Sequence, residues 1–170
     1  MVATEPLAAF LGMMGMVSSM VFSTIGSAYG MAKAGVAVCS IGIMHPDKLM
    51  KSLIPVIMAG MIGIYGLLIG IILVTTRGMS KSCRSNWPPL VVPQGYSLFE
   101  GIGGFAGGLA CGLSGLAAGI AIGIVGDAGV RANAANEKVF TPMIVILVFA
   151  EALGIFGLII GIISVSLKGE

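Results

Sequence analysis

One acid in this chain stands where an acid is expensive. Glu151 interrupts an otherwise uncharged run of 29 residues between Lys138 and Lys168. It lies ten residues after Thr141, about 15 Å along a helix and so close to the midplane of a bilayer-spanning segment. An ionised carboxylate there costs at least about 2.5–3.5 kcal/mol on insertion scales, because removal from water disfavours the charged form. A carboxyl kept neutral in lipid that ionises when water or a cation approaches is a proton carrier. A structural carboxyl, hydrogen-bonded across a helix pair, is the other role the residue type allows, although intramembrane acids are functional by default. Tyr65, a phenol in a second apolar run, is the candidate supporting group. Its hydroxyl can serve Glu151 within the chain or from a neighbouring copy, and packing is the role otherwise open to it.

Other chemistries find no residues. His45 is alone, and Cys39, Cys83 and Cys111 have no ligand spacing, so neither a metal site nor a disulfide framework is expected. Gly101-Ile-Gly103-Gly104-Phe-Ala106 matches a dinucleotide fingerprint only formally, since it follows no strand and sits in an uncharged run. There is no Walker-type loop. No cofactor is expected, and any nucleotide chemistry belongs to a partner. The net charge of +2 is too small for an electrostatic nucleic-acid binder.

The elements that must position Glu151 follow from the charge map. Charged residues make up 9% of the chain, against roughly 25% in a soluble domain, so this composition cannot cover a water-facing surface. Uncharged runs separate Glu5 from Lys33, Lys51 from Arg77, and Glu100 from Asp127, and the run holding Glu151 is the fourth. Each is long enough to cross a bilayer once and too short to cross twice. The runs predict four transmembrane helices near 8–32, 53–75, 99–126 and 141–166, joined by polar connections at His45–Lys51, Thr76–Ser97 and Arg131–Phe140. The first run is too long for a signal-peptide core and has no preceding Lys or Arg, so it is expected to remain as a span. Pro88, Pro89 and Pro93 mark the middle connection, with Trp87 and Tyr96 near the span ends as interfacial anchors. Lys33, Asp127 and Arg131 are expected to mark the membrane boundary. The positive charges divide five to four between the two sides, which leaves orientation open.

The chain is a duplication. Residues 59–72 align with 150–163 at an offset of 91, with Gly63, Gly66 and Gly70 on Gly154, Gly157 and Gly161, Tyr65 on Phe156, and Gly60 on Glu151. Gly15, Ser19, Gly26 and Gly30 fall on Gly108, Gly112, Gly119 and Gly123 at an offset of 93. The unit is a helical hairpin repeated in the same orientation, giving a first hairpin at 1–75, a connection at 76–97 and a second hairpin with the acid at 98–170. Parallel repeats suggest lateral stacking, whereas inverted repeats would suggest alternating access. Helix 3 carries glycines every four residues at 104, 108, 112 and at 115, 119, 123, a spacing that lets backbones approach closely in lipid. Helix 1 is similarly small, and helices 2 and 4 are bulky. A ring with helices 1 and 3 inside, or a plain bundle with a tight seam between them, both fit.

Four stretches together carry a resemblance. Tyr29-Gly-Met-Ala-Lys33-Ala-Gly35, Ile57-Met-Ala-Gly60-Met-Ile-Gly-Ile-Tyr65-Gly66-Leu, Gly123-Ile-Val-Gly-Asp127-Ala-Gly-Val-Arg131 and Phe149-Ala-Glu151-Ala-Leu-Gly154-Ile-Phe-Gly157-Leu resemble, in order, the four-span c-type proteolipid of V-type proton ATPases, in its c or c′ form. The resemblance implies an all-α membrane protein assembling with other copies and paralogues into a rotor ring, the c-ring. Glu151 is then the proton carrier, working against an a-type stator protein that holds an arginine between two aqueous half-channels. ATP hydrolysis in a soluble sector turns the ring through a central stalk. It also implies lumenal termini, cytosolic first and third loops, a vacuolar or other acidic-organelle membrane, and macrolide inhibitors that bind near Glu151. Without the resemblance, a small four-span proton-coupled transporter with Glu151 as coupling acid, or a channel-forming proteolipid without turnover, also fits the residues.

Overall fold

The computed structural model describes residues 5–76 and 98–166. The middle connection, with Pro88, Pro89, Pro93, Trp87, Tyr96 and Cys83, and the C-terminal Lys168 lie outside the described residues. Four long helices form: α1 (Glu5–Met44), α2 (Ile54–Thr76), α3 (Leu98–Ala135) and α4 (Phe140–Ser166). Each is long and apolar enough to cross a membrane. The described residues contain no strand.

Two helices run past the ends that the charges suggested. α1 continues beyond residue 32 to Met44, and α3 continues beyond 126 to Ala135, so Lys33, Asp127 and Arg131 lie within helices rather than at their ends. A charge ends an apolar run, but it does not interrupt main-chain hydrogen bonding. At 40 residues, α1 measures about 60 Å, roughly twice the hydrocarbon thickness. It stops where His45 precedes Pro46 and leaves the helical region, at φ −139° and ψ 78°, as a residue before proline tends to do. α3 stops at Asn136, whose side chain accepts from the Lys138 amide at 3.1 Å. Pro55 and Pro142 sit in the first turns of α2 and α4, where the missing N–H removes no intrahelical bond.

The two short connections lie at one end of the molecule. Lys48 Nζ donates to the Ala134 carbonyl at 3.2 Å and sits 3.6 Å from Glu137 Oε1. Lys51 Nζ stands 6.0 Å from the centre of the Phe140 ring. The hairpins are therefore parallel.

The centre of the fold is the α1–α3 seam. Added methyl groups at Gly101, Gly108, Gly119 and Gly123 would strike Ala8, Gly15, Gly26 and Gly30 respectively, and one at Gly112 would strike the Ser18 carbonyl oxygen at 2.8 Å and lie 3.3 Å from Ser19 Cα. Each of these pairs, like Gly112 and Ser19, is separated by 93 residues, the offset of the repeat, so each small residue of one hairpin meets its own duplicate in the other. The contacts recur along α1 in steps of seven and four, the spacing of a parallel helix pair that crosses gently and keeps one seam in contact. Steric access sets the distance of approach, since lipid offers no hydrophobic drive between helices and close packing must hold them.

The small residues of α1 form two faces. Gly15, Gly26 and Gly30 face α3, whereas Ser19, Ser23 and Ser27 are buried against α2, beside Gly63 and Gly66. Ser19 Oγ donates to the Gly66 carbonyl at 3.1 Å. α2 also packs against α3 and α4, so it joins the two hairpins alongside the α1–α3 seam.

Candidate proton site

Glu151 is the one buried acid or base among the described residues, 8% exposed. The rotation of α4 that buries it also buries Leu147, Gly154 and Gly161. Those glycines admit α2. A methyl group at Gly154 would lie 2.9 Å from Ile62 Cδ1 and 3.7 Å from the Tyr65 ring, and one at Gly161 would lie 3.0 Å from Ile69 Cδ1. Ile62, Tyr65 and Ile69 thus stand as a row of knobs on α2, and the missing side chains on α4 are the holes.

The same meshing brings the phenol to the acid. Tyr65 Oη donates to Glu151 Oε1 at 2.9 Å. The Tyr65 backbone is fixed by its neighbour Gly66, which accepts from Ser19, and by Cys111, whose Sγ lies 3.8 Å from the Tyr65 carbonyl oxygen. α3 closes the site with Ala118 and Ile122, both fully buried. A donor aimed at a carboxylate in a low-dielectric site lowers the cost of holding it there, because charge-assisted hydrogen bonds are roughly twice as strong as neutral ones. The arrangement can hold one acidic proton in a dry setting and receive the anion when that proton leaves.

The other residues considered from sequence lie apart from this pair. Lys33, Asp127 and Arg131 line an exposed groove with Tyr29 and Val36. Arg131 Nε donates to Asp127 Oδ1 at 2.7 Å one helical turn away, an exposed pair of the kind worth about 0–1 kcal/mol. His45 precedes the short turn after α1 without a side-chain capping bond, and Cys39 and Cys111 are free thiols, the first exposed and the second buried. Sequence reasoning did not single out Ser19 and Cys111 as supports of Tyr65. Only their place among small residues with helical spacing pointed to them.

Two parallel helical hairpins, meshed through glycines and enclosing one carboxyl between their bulky helices, define a class: four-span membrane proteolipids with a single buried acid. The family model for the C subunit of ATP synthase matches the chain twice, over residues 14–73 and 105–164. The chain belongs to that family and is a c-type proteolipid of the membrane sector, with two tandem copies of the unit.

Proposed function

We propose that this chain is the proton-carrying c-type rotor proteolipid, or its c′ paralogue, of a V-type proton ATPase. The observation that carries this reading is the Tyr65–Glu151 pair: one buried carboxyl, held by a phenol across the junction between two hairpins. Duplication with one acid per two hairpins, together with the four motif stretches around Lys33, Tyr65, Asp127 and Glu151, favours the V-type over a single-hairpin relative.

The ring follows from the meshing of α2 with α4. Knobs on α2 of one hairpin enter holes on α4 of the other, so the contact joins unlike surfaces of equivalent units, and such a head-to-tail contact propagates until rotation closes it. α1 and α3, the thin helices, suit the inner circle, and α2 and α4 suit the outer one. As the ring turns, Glu151 leaves the Tyr65 hydroxyl and meets an aqueous half-channel in the stator. Its O–H bond breaks and the proton passes to water. The carboxylate then pairs with the stator arginine, accepts a proton from water in the second half-channel, and returns to lipid neutral. A central stalk supplies torque from ATP hydrolysis elsewhere in the complex. The complex resides in a vacuolar or other acidic-organelle membrane, with the termini lumenal and the two short connections cytosolic.

The test is Glu151→Gln in vesicles containing only the mutant chain. The amide is nearly isosteric and stays neutral, so a ring of normal mass with no ATP-driven acidification is expected. Acidification by such vesicles would remove Glu151 from the mechanism. A native mass no larger than a dimer for the unmodified protein would favour a small proton-coupled transporter.

A further inference from the structure

The duplication makes the junction inside the chain a template for the junction between chains, and α4 carries a docking face that the single chain leaves open. The knobs on α2 are Ile62, Tyr65 and Ile69, and the first and third are completely buried. Shifted by the repeat offset of 91, they become Leu153, Phe156 and Ile160 on α4. These are 53%, 60% and 55% exposed. The positions that receive the knobs on α4 are Glu151, Gly154 and Gly161. Shifted back by 91, they become Gly60, Gly63 and Gly70 on α2. Ser27 of α1 already covers Gly63, but Gly60 and the groove at Gly70 stay open on one flank, and the knobs Leu153, Phe156 and Ile160 stay exposed on the other.

The holes have the right character. Gly70 lies in an apolar groove of about 290 Å³ lined by Met16, Met20, Leu67 and Val74. Its counterpart on the second hairpin, at Gly161, is the site that Ile69 fills, packed with Leu158 and Val165. Gly60 is open as well: a methyl group added there would meet only the Met31 sulfur, at 3.8 Å. Nothing among the described residues requires glycine at position 60.

We propose that a second copy of this chain docks its α2 on the first copy's α4, seating Ile160 in the groove at Gly70 and the Phe156 ring over Gly60. The proposal rests on the ring reading above and adds the residues of the inter-chain joint. The two kinds of joint differ chemically. Inside each chain a phenol meets a carboxyl. Between chains a phenyl ring, which cannot donate, meets a glycine, which has nothing to receive. Polar and apolar joints thus alternate around the assembly, and the proton site exists at every second joint because only the polar joint can satisfy an acid.

The experiment uses the full chain in its membrane, with Cys39, Cys83 and Cys111 replaced by Ala. The pair Ile160→Cys with Gly70→Cys is treated with a short bis-methanethiosulfonate reagent, and Phe156→Cys with Gly60→Cys serves as the second pair. A ladder of dimers, trimers and larger species is expected from each pair. Mixing chains that carry only one cysteine each should stop the ladder at dimers. Phe156→Cys with Leu67→Cys, out of register, should give at least tenfold less product. If the cysteine-free parent has the mass of a ring but neither pair gives a ladder, or the out-of-register pair reacts equally, the proposed seat is wrong and the ring stands. A parent that stays monomeric overturns the ring and the seat together.

Discussion

Tyr65 and Glu151 are 86 residues apart, yet the hydroxyl of the first donates to the carboxylate of the second at 2.9 Å. The bond spans the two halves of a duplicated chain, and neither half makes it alone. Tyr65→Phe removes the donor and keeps the ring that packs beside Gly154. The carboxyl then loses a hydrogen bond worth about 1 kcal/mol, so lipophilic carbodiimide should label Glu151 about fivefold faster while ring mass is unchanged. An unchanged labelling rate would show that the bond does not hold the acid.

Glu151→Asp keeps a titratable group but shortens it by one methylene. The carboxyl then falls out of reach of a hydroxyl that now sits at 2.9 Å, because hydrogen bonding fades beyond about 3.2 Å. Slow but measurable acidification is expected, between the unmodified protein and the inactive Glu151→Gln. Full activity would mean that the Tyr65 contact is dispensable.

Carbodiimide should modify Glu151 and leave the six other acids of the chain untouched, since the reagent partitions into lipid and attacks protonated carboxyls there. Asp127 is the informative comparison, because it also lies within a long helix but is paired with Arg131. Peptide mapping that places the adduct mainly on Asp127 or Glu100 would contradict the assignment.

Gly119 and Gly112 act inside the chain. A methyl group on Gly119 would run into the Gly26 backbone, and one on Gly112 would lie 2.8 Å from the Ser18 carbonyl oxygen. Because backbone cannot rotate away as a side chain can, even Gly119→Ala should cost about 3 kcal/mol or more, the upper end for overpacking. Loss of the folded monomer is expected along with loss of the ring. In contrast, Ile159→Leu, on an exposed stretch of α4, should leave thermal stability in detergent within about 0.5 kcal/mol. A stable Gly119→Ala monomer that merely fails to oligomerise would place the tight contact between chains instead.

Gly60→Ala should fold normally, since its methyl finds open space beside Met31. Gly60→Glu restores an acid to each hairpin, but the α4 residue equivalent to Tyr65 is Phe156, which offers no donor. A buried carboxyl without a partner is costly, so ring assembly is expected to fail while the monomer persists. An assembled Gly60→Glu ring, labelled by carbodiimide at the new acid and showing an unchanged limiting pH gradient, would mean that the two hairpins are not equivalent stations.

The number of spans, the register of the repeat and the position of Glu151 were legible from residues alone. Lipid is a severe solvent: it excludes charge for some 20 residues at a time, so the charge gaps before Lys33, Arg77, Asp127 and Lys168 trace the membrane directly. The same severity makes Glu151 conspicuous. Helix ends were less legible, because α1 and α3 obey main-chain hydrogen bonding and stop at Pro46 and Asn136, not at the first charge. Glu151 was legible as a candidate partner of Tyr65, but not whether the contact forms within one chain, between copies, or gives way to packing. The structure makes it within the chain. Periodicity says which residues share a face of one helix, but not how far that helix is turned against another. That rotation is set by packing of Ser19, Ser23 and Ser27 on Gly63 and Gly66, and of Ile62 and Ile69 into Gly154 and Gly161. Contacts between distant segments exist only once the hairpins are assembled, and they place the phenol on the acid.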